Sequence, residues 1–154
     1  MAYVIFCICQ KHSGVNMTFI CSISYVGAFA AAIVGMVIGF LWYSDLLFAK
    51  KWMELSKINP KQLEESNMAV SAGMGFAVTL TISFCLAAVY HYFGSLESAF
   101  MALEFIIFFV AVESASALIW EKIPLTLYFI QIGHKAVSWV AILLTYIAIV
   151  NLTA

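Results

Sequence analysis

The sequence predicts an all-α integral membrane protein with four transmembrane helices and a short amphipathic helix at the membrane surface after the first. Composition is the first observation: 65% of the 154 residues are hydrophobic and 10% are charged, with a mean hydropathy of +1.04. Soluble domains carry about 25% charged residues. The second observation is that four segments reach the roughly 20 mostly apolar residues that a spanning helix needs. The length allows one domain.

The four predicted spans cover residues 17–40, 68–90, 99–120 and 126–150. The first two contain no charge, the third carries Glu104 and Glu113, and the fourth carries His134 and Lys135. Residues 1–16 are interpreted as an N-terminal extension of a domain at 17–154. Their apolar stretch is too short to span and has no basic residue before it, unlike a signal peptide.

Lysine placement predicts the orientation. The connection after the first span carries Lys50, Lys51, Lys57 and Lys61, and the third connection carries Lys122. The second connection and the C-terminal end carry none. Because basic loops stay in the cytoplasm, we expect both termini outside.

Several classes of function are disfavoured by the residue content. The net charge of −1 and the absence of arginine argue against nucleic acid as a partner, and the lipid bilayer is the expected one. The four cysteines form no C-x-x-C pair. Cys7, Cys9 and His12 have a metal-like spacing but lack a fourth ligand, so neither a metal nor a cofactor is predicted. No nucleophile with a base is evident, and we expect no enzymatic activity.

Small residues recur every four positions along the first two spans. In the first they are Gly27, Ala31, Gly35 and Gly39, and in the second Ala69, Gly73, Ala77, Thr81 and Cys85. Such stripes let helix backbones approach closely in lipid. We expect the two stripes to pack against each other, or one of them to form a contact between copies of the chain.

Polar residues in the last two spans predict an intramembrane cluster of Glu113, Ser116, Gln131, His134 and Lys135, with Ser114 near it. Glu113 and the basic pair lie at similar depths, about 10 Å inside the same end of their helices. Since ionisable groups in lipid need partners, Glu113 should reach His134 or Lys135. Two interpretations stay open: a proton or cation relay, and a charge-neutralising clamp between two helices.

The stretch "GFLWYSDLLFAKKW" at residues 39–52 predicts a membrane anchor. Trp42 and Tyr43 belong at the headgroup level, and Trp52 lies on the apolar side of the next helix. Ser44 is suited as the N-cap of that helix and Asp45 to its first turn, which predicts an amphipathic helix over about 45–57.

The run Gly39-x-x-Trp42-Tyr43-Ser44-x-x-Leu47-Phe48-x-x-x-Trp52 resembles the signature of a bacterial family of small four-helix membrane proteins classified only as a domain of unknown function. A second stretch, Glu121-Lys122-x-Pro124 followed by Leu127, Phe129, Ile130 and Gly133, is similar to the same family. Asp45 replaces a usual proline and His134 a usual tyrosine. The resemblance implies a four-helix protein of the bacterial cytoplasmic membrane and supplies no activity.

Two functions remain as hypotheses. The first is a non-enzymatic structural or interaction protein of a membrane complex, with a second copy or another membrane protein as partner. The second is an oligomeric transporter, for small molecules or proton-coupled, that uses Glu113 with His134 and Lys135.

Overall fold

The computed structural model describes residues 23–57 and 67–153, and within these ranges all regular structure is helical. The helices are α1 (Tyr25–Trp42), α2 (Ala49–Ser56), α3 (Met68–Phe93), α4 (Leu96–Ser114), α5 (Ser116–Trp120) and α6 (Leu125–Thr153). Four spans are long and apolar enough to cross a membrane: α1, α3, α4 together with α5, and α6. The predicted all-α membrane fold is confirmed. The predicted extension at 1–16 lies outside the described residues.

Polar caps set the helix ends. Ser24 is extended and its hydroxyl accepts a hydrogen bond from the Gly27 N–H, so α1 begins at Tyr25 rather than at the predicted residue 17. Asn67 caps α3 in the same way, and Ser95 caps α4. Gly94, with a φ of 67°, ends α3 in the left-handed conformation that favours glycine.

The small residues of α1 lie in the interior, where α1 packs against both α6 and α3. Ala28, Ala31 and Ala32 are fully buried. A Cβ atom at Gly35 would meet Ile142 of α6 on one side and Thr79 of α3 on the other. The interior is therefore built around the small side chains of α1, as predicted.

The predicted packing of the α1 and α3 stripes against each other is wrong, whereas a contact between copies of the chain through one stripe stays a prediction. Ala69, Gly73, Ala77, Thr81 and Cys85 of α3 are all exposed, and nothing lies within 4 Å of a Cβ placed at Gly73. Instead, α3 turns Ser83, Leu86 and Ala87 inward. The buried Ser83 hydroxyl donates a 2.8 Å hydrogen bond to the Ala28 carbonyl, which joins α3 to α1. The face of α3 that packs in the interior is therefore a different one from its stripe of small residues.

The helix after α1 begins later than predicted, at Ala49, and Ser44 does not cap it. The Ser44 hydroxyl donates to the Leu41 carbonyl at 2.7 Å, so it serves the end of α1. Asp45 is exposed in the turn between the helices and not in the first turn of α2. The free carbonyls at the end of α1 compete for the serine hydroxyl, and sequence pattern alone does not rank the two uses.

Candidate functional site

An open cleft of about 850 Å³ lies where α1 ends and α6 begins, with parts of α2 and α3 on its walls. Ligand pockets commonly occupy about 300–1,000 Å³. Polar side chains from two helices, α3 and α6, and from the α1–α2 turn line it: Tyr43, Ser71, Gln131, His134 and Lys135. Trp52 and Gly39 also line the cleft. It is thus built from residues that the sequence analysis assigned to three separate roles, the anchor, the packing stripe and the polar cluster.

Trp42 fixes the end of α1 onto α6 beside this cleft. Its indole Nε1–H donates a 3.0 Å hydrogen bond to the Ile130 carbonyl, and its ring lies 4.9 Å from the Phe48 ring, centroid to centroid. A Cβ at Gly133 would come within 3.1 Å of the indole. Because Gly133 has no side chain, the Trp42 indole can pack directly against the α6 backbone. The side chain of Trp42, predicted as a membrane anchor, packs against other residues of the protein. These contacts fix the wall of the cleft.

Two aromatic residues of the 39–52 stretch, Trp42 and Tyr43, pack around His134. Its ring centroid is 5.1 Å from that of Tyr43 and 6.1 Å from that of Trp42. The Nε2 atom lies 3.3 Å from where a Cβ of Gly39 would be. This nitrogen is buried and has no hydrogen-bond partner in the part of the chain that the structure describes. His134 thus contributes its ring to the cleft and holds Tyr43 in position.

Among the residues that the structure describes, the wall of the cleft carries a positive charge and no carboxylate. Lys135 is the charged lining residue, and its amine has one long hydrogen bond, 3.5 Å to the Ser114 hydroxyl. Burial raises the pKa of the Tyr43 phenol, so this hydroxyl stays protonated and can donate. The Tyr43 ring packs at 5.5 Å against Trp52 of α2. The arrangement can accept an anionic group beside an apolar surface.

The predicted polar cluster is only partly assembled. Gln131, His134 and Lys135 line the cleft, whereas Glu113 and Ser116 are exposed on the third span. Across residues 23–57 and 67–153 the one ion pair joins Lys51 and Glu54 within α2, at 2.9 Å. The expected contact of Glu113 with His134 or Lys135 is therefore wrong. The contact required Glu113 to face the fourth span, but its side chain is exposed.

A buried network at the opposite end of the spans escaped the sequence analysis. The hydroxyl of Tyr146, a fully buried side chain, accepts a 3.1 Å hydrogen bond from the Ser24 N–H and lies 2.8 Å from Nε2 of His91. It joins α6, the start of α1 and the end of α3. No spacing in the sequence relates His91 to a tyrosine 55 residues later.

The outward face of α4 is a second feature of interest. It exposes Glu104 and Glu113 at its two edges and large apolar residues between them: Met101, Phe105, Phe108, Phe109 and Val112. Only Ala99 and Leu103 of this helix are buried. The two carboxylates lie about 6 and 8 Å from the middle of the third span, within the depth of the hydrocarbon. We call this surface the α4 outer face.

The described residues hold no group of three or more histidine, cysteine or acidic side chains that could bind a metal. Cys7, Cys9 and His12 lie outside the residues that the structure describes.

Four spans that are long and apolar enough to cross a membrane define the class, a multi-pass integral membrane protein. The sequence model of a family described as "Protein of unknown function (DUF1761)" matches residues 26–147, and the chain belongs to this family. No curated protein and no solved structure matches it.

Proposed function

We propose that this protein is a non-enzymatic interaction protein of a membrane complex, and that the α4 outer face binds a transmembrane helix of a partner. The exposure of Glu104 and Glu113 at hydrocarbon depth carries the proposal. An ionisable side chain in the bilayer interior costs at least about 2.5 kcal/mol unless it is paired or hydrated. A partner helix with polar or basic side chains opposite these carboxylates removes that cost.

The aromatic residues of the α4 outer face support the same proposal. The side chains of Phe105, Phe108 and Phe109 are 67–74% exposed, so the chain itself covers little of them. Aromatic side chains are enriched in the buried centres of protein interfaces. An apolar centre with a carboxylate at each edge suits a helix that packs between the two charges.

Glutamine substitutions test this proposal. We expect Glu104→Gln and Glu113→Gln to reduce the stoichiometric recovery of a membrane partner by about tenfold, because the amide keeps the shape and removes the charge. The measurement is native purification in mild detergent followed by mass spectrometry of the intact complex.

Glu97→Gln is the matched control, since Glu97 lies in the first turn of α4, away from the hydrocarbon centre, and should leave the complex intact. A second copy of this chain in the complex would identify the partner as a homo-oligomer. Recovery of the wild-type chain alone, with the glutamine variants unchanged, would contradict the proposal.

The alternative, an oligomeric transporter that uses Glu113 with His134 and Lys135, has less support. A relay needs a path between the acid and the bases, and Glu113 lies on the lipid side of the third span while the other two line the cleft. A proton-coupled flux in liposomes that is lost in Glu113→Gln would favour this alternative over the interaction protein.

We also propose that the chain lies in a bacterial cytoplasmic membrane with both termini outside. The lysines at the α2 end of the spans support this orientation, since Lys50, Lys51 and Lys57 lie in or next to α2 and Lys122 in the third connection. A reporter that is active only in the periplasm, fused after residue 154, should be active. The same reporter inserted after Lys57 should be silent, and the reverse pattern would invert the orientation.

A further inference from the structure

We propose that the cleft between α1, α3 and α6 binds a long-chain fatty acid, with the carboxylate at Lys135 and the hydrocarbon tail between α1 and α3. The observations are independent of those that support a protein partner, because the cleft and the α4 outer face share no residue. Among the described residues, the charged groups of the α4 outer face are carboxylates, whereas the charged group on the cleft wall is a cation.

Charge identifies the polar end of the ligand. Lys135 is the charged side chain on the cleft wall, and the neutral donors Tyr43 and Gln131 line the same wall. Within the described residues the Lys135 amine has a single long bond to Ser114, although an ammonium group has three donors. An ammonium at this depth in a membrane favours an anionic partner strongly. A carboxylate supplies one negative charge and acceptor atoms for these donors.

The shape and lining identify the rest of the ligand. Met36 and Phe40 of α1 and Met68 and Ala72 of α3 form an apolar part of the wall. Phe40 and Met68 are 63% and 80% exposed and lie near the end of α1 and at the start of α3, so the cleft opens outward between the ends of two spanning helices. The volume of about 850 Å³ is that of a pocket for one small ligand, which favours one acyl chain over a two-chain phospholipid.

The test measures quenching of tryptophan fluorescence by brominated amphiphiles, because Trp52 lines the cleft. Purified full-length protein in detergent is titrated with dibrominated stearate, the corresponding dibrominated alcohol, and a brominated phosphatidylglycerol. We expect stearate to bind about tenfold more tightly than the alcohol and more tightly than the phospholipid. Trp52→Phe should lose most of the quenching, which locates the ligand.

Two variants separate the charge from the cavity. Lys135→Met should weaken stearate binding by about tenfold and leave the alcohol unaffected, because it removes the charge and keeps the length of the side chain. Ser71→Leu, at an exposed position on the cleft wall, should weaken both ligands by filling space. Lys51→Met is the matched control, since Lys51 lies on α2 outside the cleft and should change neither affinity.

Several results would overturn the inference. Equal affinity for the acid and the alcohol would make the cleft a purely apolar groove, and tighter binding of phosphatidylglycerol would assign it to a two-chain lipid. Absence of quenching in the wild-type protein would remove the site altogether. Native mass spectrometry and thermal unfolding of each variant show whether a lost signal reflects lost binding or a lost fold. Ser71→Leu tests the cavity by a second measurement of affinity in a protein that keeps Lys135.

Discussion

Gly35→Leu is expected to destabilise the protein by about 3 kcal/mol or more, the largest effect at any glycine of α1. A Cβ at this position would lie 2.6 Å from Cδ1 and 2.9 Å from Cγ1 of Ile142, and 2.9 Å from Cγ2 of Thr79. These atoms belong to side chains of α6 and α3. A side chain at position 35 therefore requires both Ile142 and Thr79, or the helices that carry them, to shift.

Gly73→Leu is the matched control for this substitution. It places the same side chain on a spanning helix, but nothing lies within 4 Å of a Cβ at Gly73. We expect its unfolding midpoint in detergent to stay close to that of the wild type, and a small gain from helix propensity would be consistent. Circular dichroism on heating, with size-exclusion profiles, measures both variants. A Gly35→Leu protein as stable as the wild type would contradict the packing described for α1.

Tyr146→Ala is expected to lower stability by about 3–5 kcal/mol, because the ring is fully buried and its removal leaves a cavity in the core. Tyr146→Phe should cost less, about 1–3 kcal/mol, since only the hydroxyl is lost. That hydroxyl accepts from the Ser24 N–H and lies 2.8 Å from His91 Nε2, so its loss leaves half-buried polar groups of two other segments without this partner.

Tyr25→Phe controls for removal of a tyrosine hydroxyl elsewhere. Tyr25 is 53% exposed, and its ring packs beside Phe84 at a centroid distance of 5.8 Å. Its variant should unfold with the wild type. If Tyr146→Phe and Tyr25→Phe behaved alike in a denaturant titration, the hydrogen bonds at Tyr146 would contribute nothing measurable and the cost of Tyr146→Ala would be due to packing alone.

The spans were predictable because the bilayer imposes a length and a composition that the sequence displays directly. Their register against one another was not. The small-residue stripe of α1 does lie in the interior. Its neighbour could not be chosen from the sequence, because small residues at a spacing of four occur in α3 as well and do not show which face of α3 packs inward. In α3 the inward face carries Ser83, Leu86 and Ala87, and its small stripe is exposed.

The cleft was predictable in its parts and not as a whole. Gln131, His134 and Lys135 were assigned to an intramembrane polar cluster, and Tyr43 and Trp52 to the membrane anchor. Nothing local in the sequence relates residues near 43 to residues near 134, because their contact depends on the rotation of α6 against α1. Glu113 shows the same limit: its depth followed from counting residues, and its direction required the packing of the third span.

The exposed rim of the cleft, with Phe40 and Met68 on spanning helices, has a consequence for how any occupant is supplied. A molecule that enters from the side of the protein arrives by diffusion within one leaflet. The quantity that sets occupancy is then its mole fraction among the surrounding lipids, and the same protein would appear to bind weakly in a lipid-rich preparation and tightly in a lipid-poor one.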